Sequence, residues 1–197
     1  AIRSIGRTEE YFYMPVFESA AMIPPQTRRE ALTEVRAQLD TVSGSILNIR
    51  VGGNDLSHAF GLRRPANRTI YDLRPVADIL IDIVAAFGTQ YVVSGPVWEY
   101  YSGEGWEEGL RREMELDLLN GFTGKTVIHP NQIPVVNEML RVSQRDYADA
   151  RAILNWDTGS GSLVSASEDG GRMNEYNTHS RWARRIVLRA ERYGVRA

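Results

Sequence analysis

The sequence predicts an α/β fold, about the second half of a (β/α)8 barrel, with four strand-helix units followed by a C-terminal helical extension. Three observations predict it. Short β-branched or aromatic runs at residues 11–17, 46–51, 90–93 and 125–128 alternate with longer stretches of helical period, the pattern of a parallel sheet covered by helices. Groups able to do chemistry follow each run: Glu18, Asp55, residues 94–99 and His129. The alternation alone fits a doubly wound sheet equally well, but convergence of reactive groups from several strand ends favours a barrel. Four strands do not close one, and a complete barrel typically needs about 250 residues. The 197 residues therefore read as residues 1–156, a barrel portion, and 157–197, a loop and terminal helix, with the first half cleaved, absent from this sequence or supplied separately.

Each element has its own signal. YFYMPVF (11–17) reads as a strand ending at Glu18. Pro24-Pro25 open a helix with Ala31, Leu32, Val35 and Leu39 at helical spacing. Ile46, Leu47, Ile49 and Val51 form the second strand, broken by Gly52-Gly53 ahead of Asp55. Asp72 is placed to cap the clearest helix, with Val76, Ile79, Leu80, Ile83, Val84 and Phe87 on one face and Gly88 as its stop. After the third strand come Trp98, Glu99 and Tyr100, then a helix on Trp106, Leu110, Met114 and Leu118. KTVI makes the fourth strand, before His129-Pro130-Asn131-Gln132 and a further helix. Ser143 and Asp146 form a capping box for the next. Residues 157–171 read as a Gly/Ser-rich loop, and 178–193 as a terminal helix packed on the body or on a neighbouring subunit.

Composition narrows the function class. With 43% hydrophobic and 24% charged residues the chain is an ordinary globular mixture. A net charge of -2 and a pI near 6.0 give no reason to expect nucleic acid or an anionic membrane as partner. The absence of cysteine removes thiolate chemistry and suits a cytoplasmic protein. The apolar stretch 76–87 carries Asp78 and Asp82 and is too short to span a bilayer, and the first ten residues have no signal-peptide core.

The candidate site residues each have two readings. Glu18 and Asp55, at adjacent strand ends, suit a shared Mg²⁺ whose octahedron water and substrate oxygens complete, or are loop acids that cap helices or pair with Arg50 or Arg63. Arg63, Arg64 and Arg68 suit a carboxylate or phosphate, or a solvated loop of salt bridges. His129 is a base, ligand or anion contact, or a structural histidine; His58 and His179 lack the spacing of a metal triad. Trp98, Tyr100, Tyr101 and Trp106 line a flat pocket or simply pack.

VFES, GGNDLSHAFGLRR and GFTGKTVIHPNQI, in that order and followed by a helix ending in ARAIL, resemble the C-terminal half of the aldolase and citrate lyase β-subunit superfamily. SEDGGRMNEYNTHSRWARRIVLRA resembles its C-terminal extension. The resemblance implies a barrel that breaks or forms carbon-carbon bonds through a Mg²⁺-stabilised enolate, on an oxyacid or its thioester, with coenzyme A as part of that substrate. It implies Glu18 and Asp55 as metal ligands, Glu175 as the catalytic carboxylate given to a neighbouring subunit of a homo-oligomer, and the loop of His129 and Asn131 near the nucleotide of the substrate, while Arg63 and Arg64 stand as substrate contacts on their guanidinium chemistry alone. The superfamily's substrate-clamping arginine belongs to earlier strands. Met173-Asn174-Glu175 replaces the usual Met-hydrophobic-Asp, and at a spacing of 37 residues from Glu18 to Asp55 the helix between them is long for the citrate lyase branch. Both departures point to a divergent branch, similar to the carbon-carbon bond lyases associated with bacterial stress-resistance gene clusters. The reading from another class is a non-catalytic barrel remnant that binds a metabolite or a partner protein.

Overall fold

The computed structural model describes residues 10–156, 164–167 and 170–196. Its first strand-helix units run β1 (Val16–Phe17), α1 (Pro25–Asp40), β2 (Ile49–Val51), α2 (Gly53–Ala59), α3 (Arg74–Phe87), β3 (Val93–Gly95), α4 (Trp106–Leu119), β4 (Gly124–Lys125) and α5 (Gln132–Met139). The four strands form one sheet in sequence order, every pair parallel. Parallel neighbours joined through helices are the β/α units of a barrel, and four of them make a partial barrel. Among the described residues β1 pairs only with β2 and β4 only with β3, so both outer edges of the sheet are free.

The pleat sorts the side chains onto two faces. Phe17, Ile49, Val51 and Val93 face the helices and share one core with Leu32 of α1 and with Val76, Ile79, Leu80, Ile83 and Phe87 of α3. The α3 residues recur every three or four positions, so a single stripe of that helix supplies the largest share of the core. The opposite, inner face is read from three contacts. Asn48 Nδ2 donates to Ser94 Oγ at 2.8 Å, a Cβ added to Gly124 would touch Ser94 Oγ, and a Cβ added to Gly52 would fall on the Glu18 side chain. Val16, Arg50, Ser94 and Gly124, in register across the four strands, lie on that face.

Several boundaries differ from the sequence reading. The first strand keeps only two residues in the ladder, with Tyr13 held to Ile46 by an isolated bridge. Pro15 turns towards β2, where its carbonyl accepts from Arg50 N–H, and it has no N–H to return. Asp72 does not cap α3. Its carboxylate instead accepts from Thr69 N–H at 2.7 Å and Thr69 Oγ1 at 3.0 Å, closing a short 3-10 turn at residues 70–72, and α3 starts at Arg74 with Pro75 in its first turn.

The chain divides into two compact units, Ala1–Val136 and Asn137–Ala197. The boundary falls inside α5, ahead of residue 156, where the sequence reading puts it. In the second unit β5 (Val142–Ser143) leads into α6 (Gln144–Leu154), whose first turn is capped as the Ser143/Asp146 pair predicts, Asp146 N–H donating to Ser143 Oγ at 3.1 Å. β6 (Val164–Ala166), inside the stretch read as loop, pairs antiparallel with β7 (Met173–Glu175), which follows it; residues 157–163 and 168–169 lie outside the described residues. α7 (Tyr176–Tyr193) packs Ala183, Ile186 and Ala190 against Ala150 and Ile153 of α6, and β8 (Val195–Arg196) pairs with β5. No helix among the described residues is long and apolar enough to cross a membrane.

Candidate active site

Because all four strands run the same way, the residues after β1, β2, β3 and β4 emerge at one edge of the sheet. Glu18 is the first residue beyond β1. Asp55 sits in the first turn of α2, whose helix begins directly after the Gly52-Gly53 break rather than after a loop. Gly52 connects the two: its N–H donates to Phe17 O at 3.0 Å, and the space a side chain would take above it holds Glu18. Both carboxylates are exposed, and neither makes a hydrogen bond or ion pair with a described residue, Arg50 and Arg63 included.

These donors fit a hard divalent cation. Mg²⁺ takes one or two protein carboxylates and fills its octahedron with water and substrate oxygens. Two unpaired carboxylates beside a glycine that leaves one of them room meet that need. Among the described residues no group of three or more His, Asp or Glu side chains could hold a metal, so the pair suits an ion that keeps most of its coordination for water and substrate.

The two neighbouring arginines part company. Arg63 is exposed and pairs with Glu99 at 2.9 Å, a hydrogen bond that raises its pKa further. Arg64, read with it as a substrate contact, is fully buried and unavailable to a substrate in this structure. Its Nη2 donates to Val97 O at 2.5 Å and Glu113 Oε1 at 3.2 Å, and its guanidinium lies 5.2 Å from the Trp98 ring centroid. His129 stacks on Tyr101 with ring centroids 4.3 Å apart, and its Nδ1 accepts from Asn131 N–H at 3.2 Å. Asn131 Nδ2 donates to Tyr101 O at 3.2 Å. Trp98 is wholly buried, its indole N–H bonded to Trp106 O at 2.9 Å, so it packs rather than lining an opening. Glu175 ends β7 in the second unit, where its N–H donates to His179 Nδ1 at 3.0 Å.

Sequence reasoning missed the buried charges that hold this edge. Glu113 and Asp117, one turn apart on α4, both accept from Lys125 Nζ at 2.7 Å. Glu113 also accepts from Ile70 N–H at 2.7 Å, and Asp117 from Tyr71 OH at 2.7 Å. Burial pushes the Asp117 carboxyl up against the opposing pull of Lys125, and burial followed by Asp117 pushes the Tyr71 phenol far up. Gln132, also buried, donates to Trp98 O and Tyr100 O at 2.8 Å each and accepts from Ile128 N–H at 3.0 Å, stitching the segments after β3 and β4 together. The available signal was the four-residue spacing of Glu113 and Asp117 beside Leu110 and Met114, which puts two acids on the apolar face of α4.

The family model for C-C bond lyases of the TIM-barrel fold matches residues 1–195. The chain belongs to this family. A C-C bond lyase relative, the L-malyl-CoA/beta-methylmalyl-CoA lyase of Cereibacter sphaeroides, is 38% identical over 74 residues, covering 36% of this chain and 22% of that protein. The crystal structure of CitE from Mycobacterium tuberculosis, in complex with magnesium, acetoacetate and coenzyme A, is 25% identical with a TM-score of 0.55, over 75% of this chain and 53% of that one. A citrate lyase from Burkholderia xenovorans LB400 shares the fold with a TM-score of 0.67 at 17% identity, over 99% of this chain and 57% of that one. The C-C bond lyase chain thus spans about half the length of the solved structures it matches.

Proposed function

We propose that this chain carries the metal-binding half of the site of a Mg²⁺-dependent carbon-carbon lyase acting on an oxyacid or its coenzyme A thioester. The observation that carries the reading is the placement of Glu18 in the space left by Gly52, with a second carboxylate unpaired among the described residues, Asp55, in the first turn of the helix that starts directly after it. Mg²⁺ held there supplies positive charge that offsets the oxyanion developing as the carbon-carbon bond breaks. Glu18 and Asp55 hold and orient that charge; neither is paired with a cation among the described residues. The exposed Arg63 and Asn131 and the half-buried His129 follow the strand ends and serve the remoter part of the substrate, while Arg64 acts from behind by fixing the segment that bears Arg63. The magnesium and coenzyme A bound by CitE support both the metal and the thioester reading. Glu175 is the proposed acid or base, contributed between subunits of a homo-oligomer.

Calorimetric titration of the chain with Mg²⁺ tests the assignment. Asp55→Asn and Glu18→Gln are each expected to abolish binding while leaving the fold intact by circular dichroism. Unchanged affinity in Asp55→Asn counts decisively against it.

A further inference from the structure

The three arginines nearest the carboxylate pair in sequence differ in what neutralises them. Arg63 is paired with Glu99 and Arg64 with Glu113, whereas the Arg50 guanidinium makes no hydrogen bond or ion pair with any described residue. A half-buried guanidinium in the middle of a sheet ordinarily has an anionic partner, because its donors are costly to leave idle.

The register says where Arg50 stands. It is paired with Val16 on β1 and Ser94 on β3, on the inner face. The next inner-facing positions towards the carboxyl edge are Glu18 on β1 and Gly52 on β2, so Arg50 lies one strand across and one pleat below Glu18. Around it the inner face is kept small or polar: Gly52, Ser94, Gly124 and Asn48. Asn48 Oδ1 is itself buried with no hydrogen-bond partner, and the Ser94 hydroxyl, which accepts from Asn48, keeps its proton for another acceptor. A guanidinium and a free hydroxyl proton on this face, one pleat below Glu18, offer two donors to an anion.

We propose that Arg50 is the cation that receives the carboxylate of the substrate. A small α-keto or α-hydroxy carboxylate suits these donors, its acid group meeting Arg50 while its neighbouring oxygen turns towards Glu18 and Asp55. The inference rests on the proposed function for the role of those two acids, and it adds a cation from β2 where the superfamily resemblance places the substrate-clamping arginine on earlier strands.

Titration of the chain with pyruvate, in the presence and absence of Mg²⁺, tests it on Arg50→Gln and Arg50→Lys. Arg50→Gln is expected to weaken pyruvate binding by about tenfold or more, the scale of one charge-assisted hydrogen bond, with Mg²⁺ affinity and thermal midpoint unchanged. Arg50→Lys retains part of the affinity, because it keeps the charge and loses the fork. Equal pyruvate affinity in Arg50→Gln and the unsubstituted chain overturns the assignment and leaves the metal reading standing, as does Mg²⁺ binding without any pyruvate binding. If the chain binds no Mg²⁺, the lyase reading fails; a pyruvate response abolished by Arg50→Gln then still supports Arg50, and no response overturns both.

Discussion

Glu18 occupies the volume that a side chain at Gly52 would need. One residue supplies a carboxylate and the other supplies the absence that lets it sit there, so the glycine belongs to the proposed site as much as the acid. Gly52 has φ -87°, which any residue adopts, so steric room rather than backbone freedom explains it.

Gly52→Ala is therefore expected to fold and to lose metal. The new methyl displaces Glu18, and Mg²⁺ affinity falls by about 10-fold to 100-fold, as for groups that orient a ligand. Titration calorimetry reads the affinity and a thermal melt reads the fold. An unchanged affinity would mean that Glu18 is free to coordinate from another position.

Lys125→Met removes the cation shared by Glu113 and Asp117, all three side chains being essentially inaccessible. Breaking a buried pair strands the remaining charge, at a cost of about 3–5 kcal/mol. Urea unfolding should show the midpoint falling at constant slope. A loss below about 1 kcal/mol, the scale of exposed pairs, would mean that water reaches the cluster.

Asp72 gives a pH-dependent contribution. Hydrogen bonding from Thr69 N–H leads the causes that lower its pKa below the ordinary 3.8, outweighing burial. A depressed carboxylate stabilises the fold above its unfolded value, and the contribution is lost as pH falls through the folded one. Asp72→Ala should cost about 0.5–1 kcal/mol at pH near 7, the low end for a half-exposed group. The difference from the unsubstituted chain should vanish in urea melts run well below pH 3.8. A gap independent of pH would assign the loss to packing.

Much of the fold was legible because its signals are local. The apolar stripe of α3, the prolines opening α1 and the Ser143/Asp146 cap are each written within a few residues, and each element appears where they place it. Asp72 shows the limit: a good capping residue lies near a helix start, but Thr69 competes for it and wins with two hydrogen bonds. The short strands were placed less well, since a two-residue strand such as β4 is defined by its neighbours' hydrogen bonds. Similarly, nothing in LRR distinguishes the exposed Arg63 from the buried Arg64.

The order of the strands, the helices between them and the acids that follow them were determined by the sequence alone, because hydrophobic period and chain order are properties of one dimension. Which arginines are spent and which is free was decided only by the tertiary structure. Glu99 and Glu113 reach Arg63 and Arg64 from 36 and 49 residues away, while the same folding leaves the Arg50 guanidinium without a partner among the described residues, one strand across and one pleat below Glu18. Burial makes charge pairing compulsory where it occurs, and burial exists only once the chain has packed.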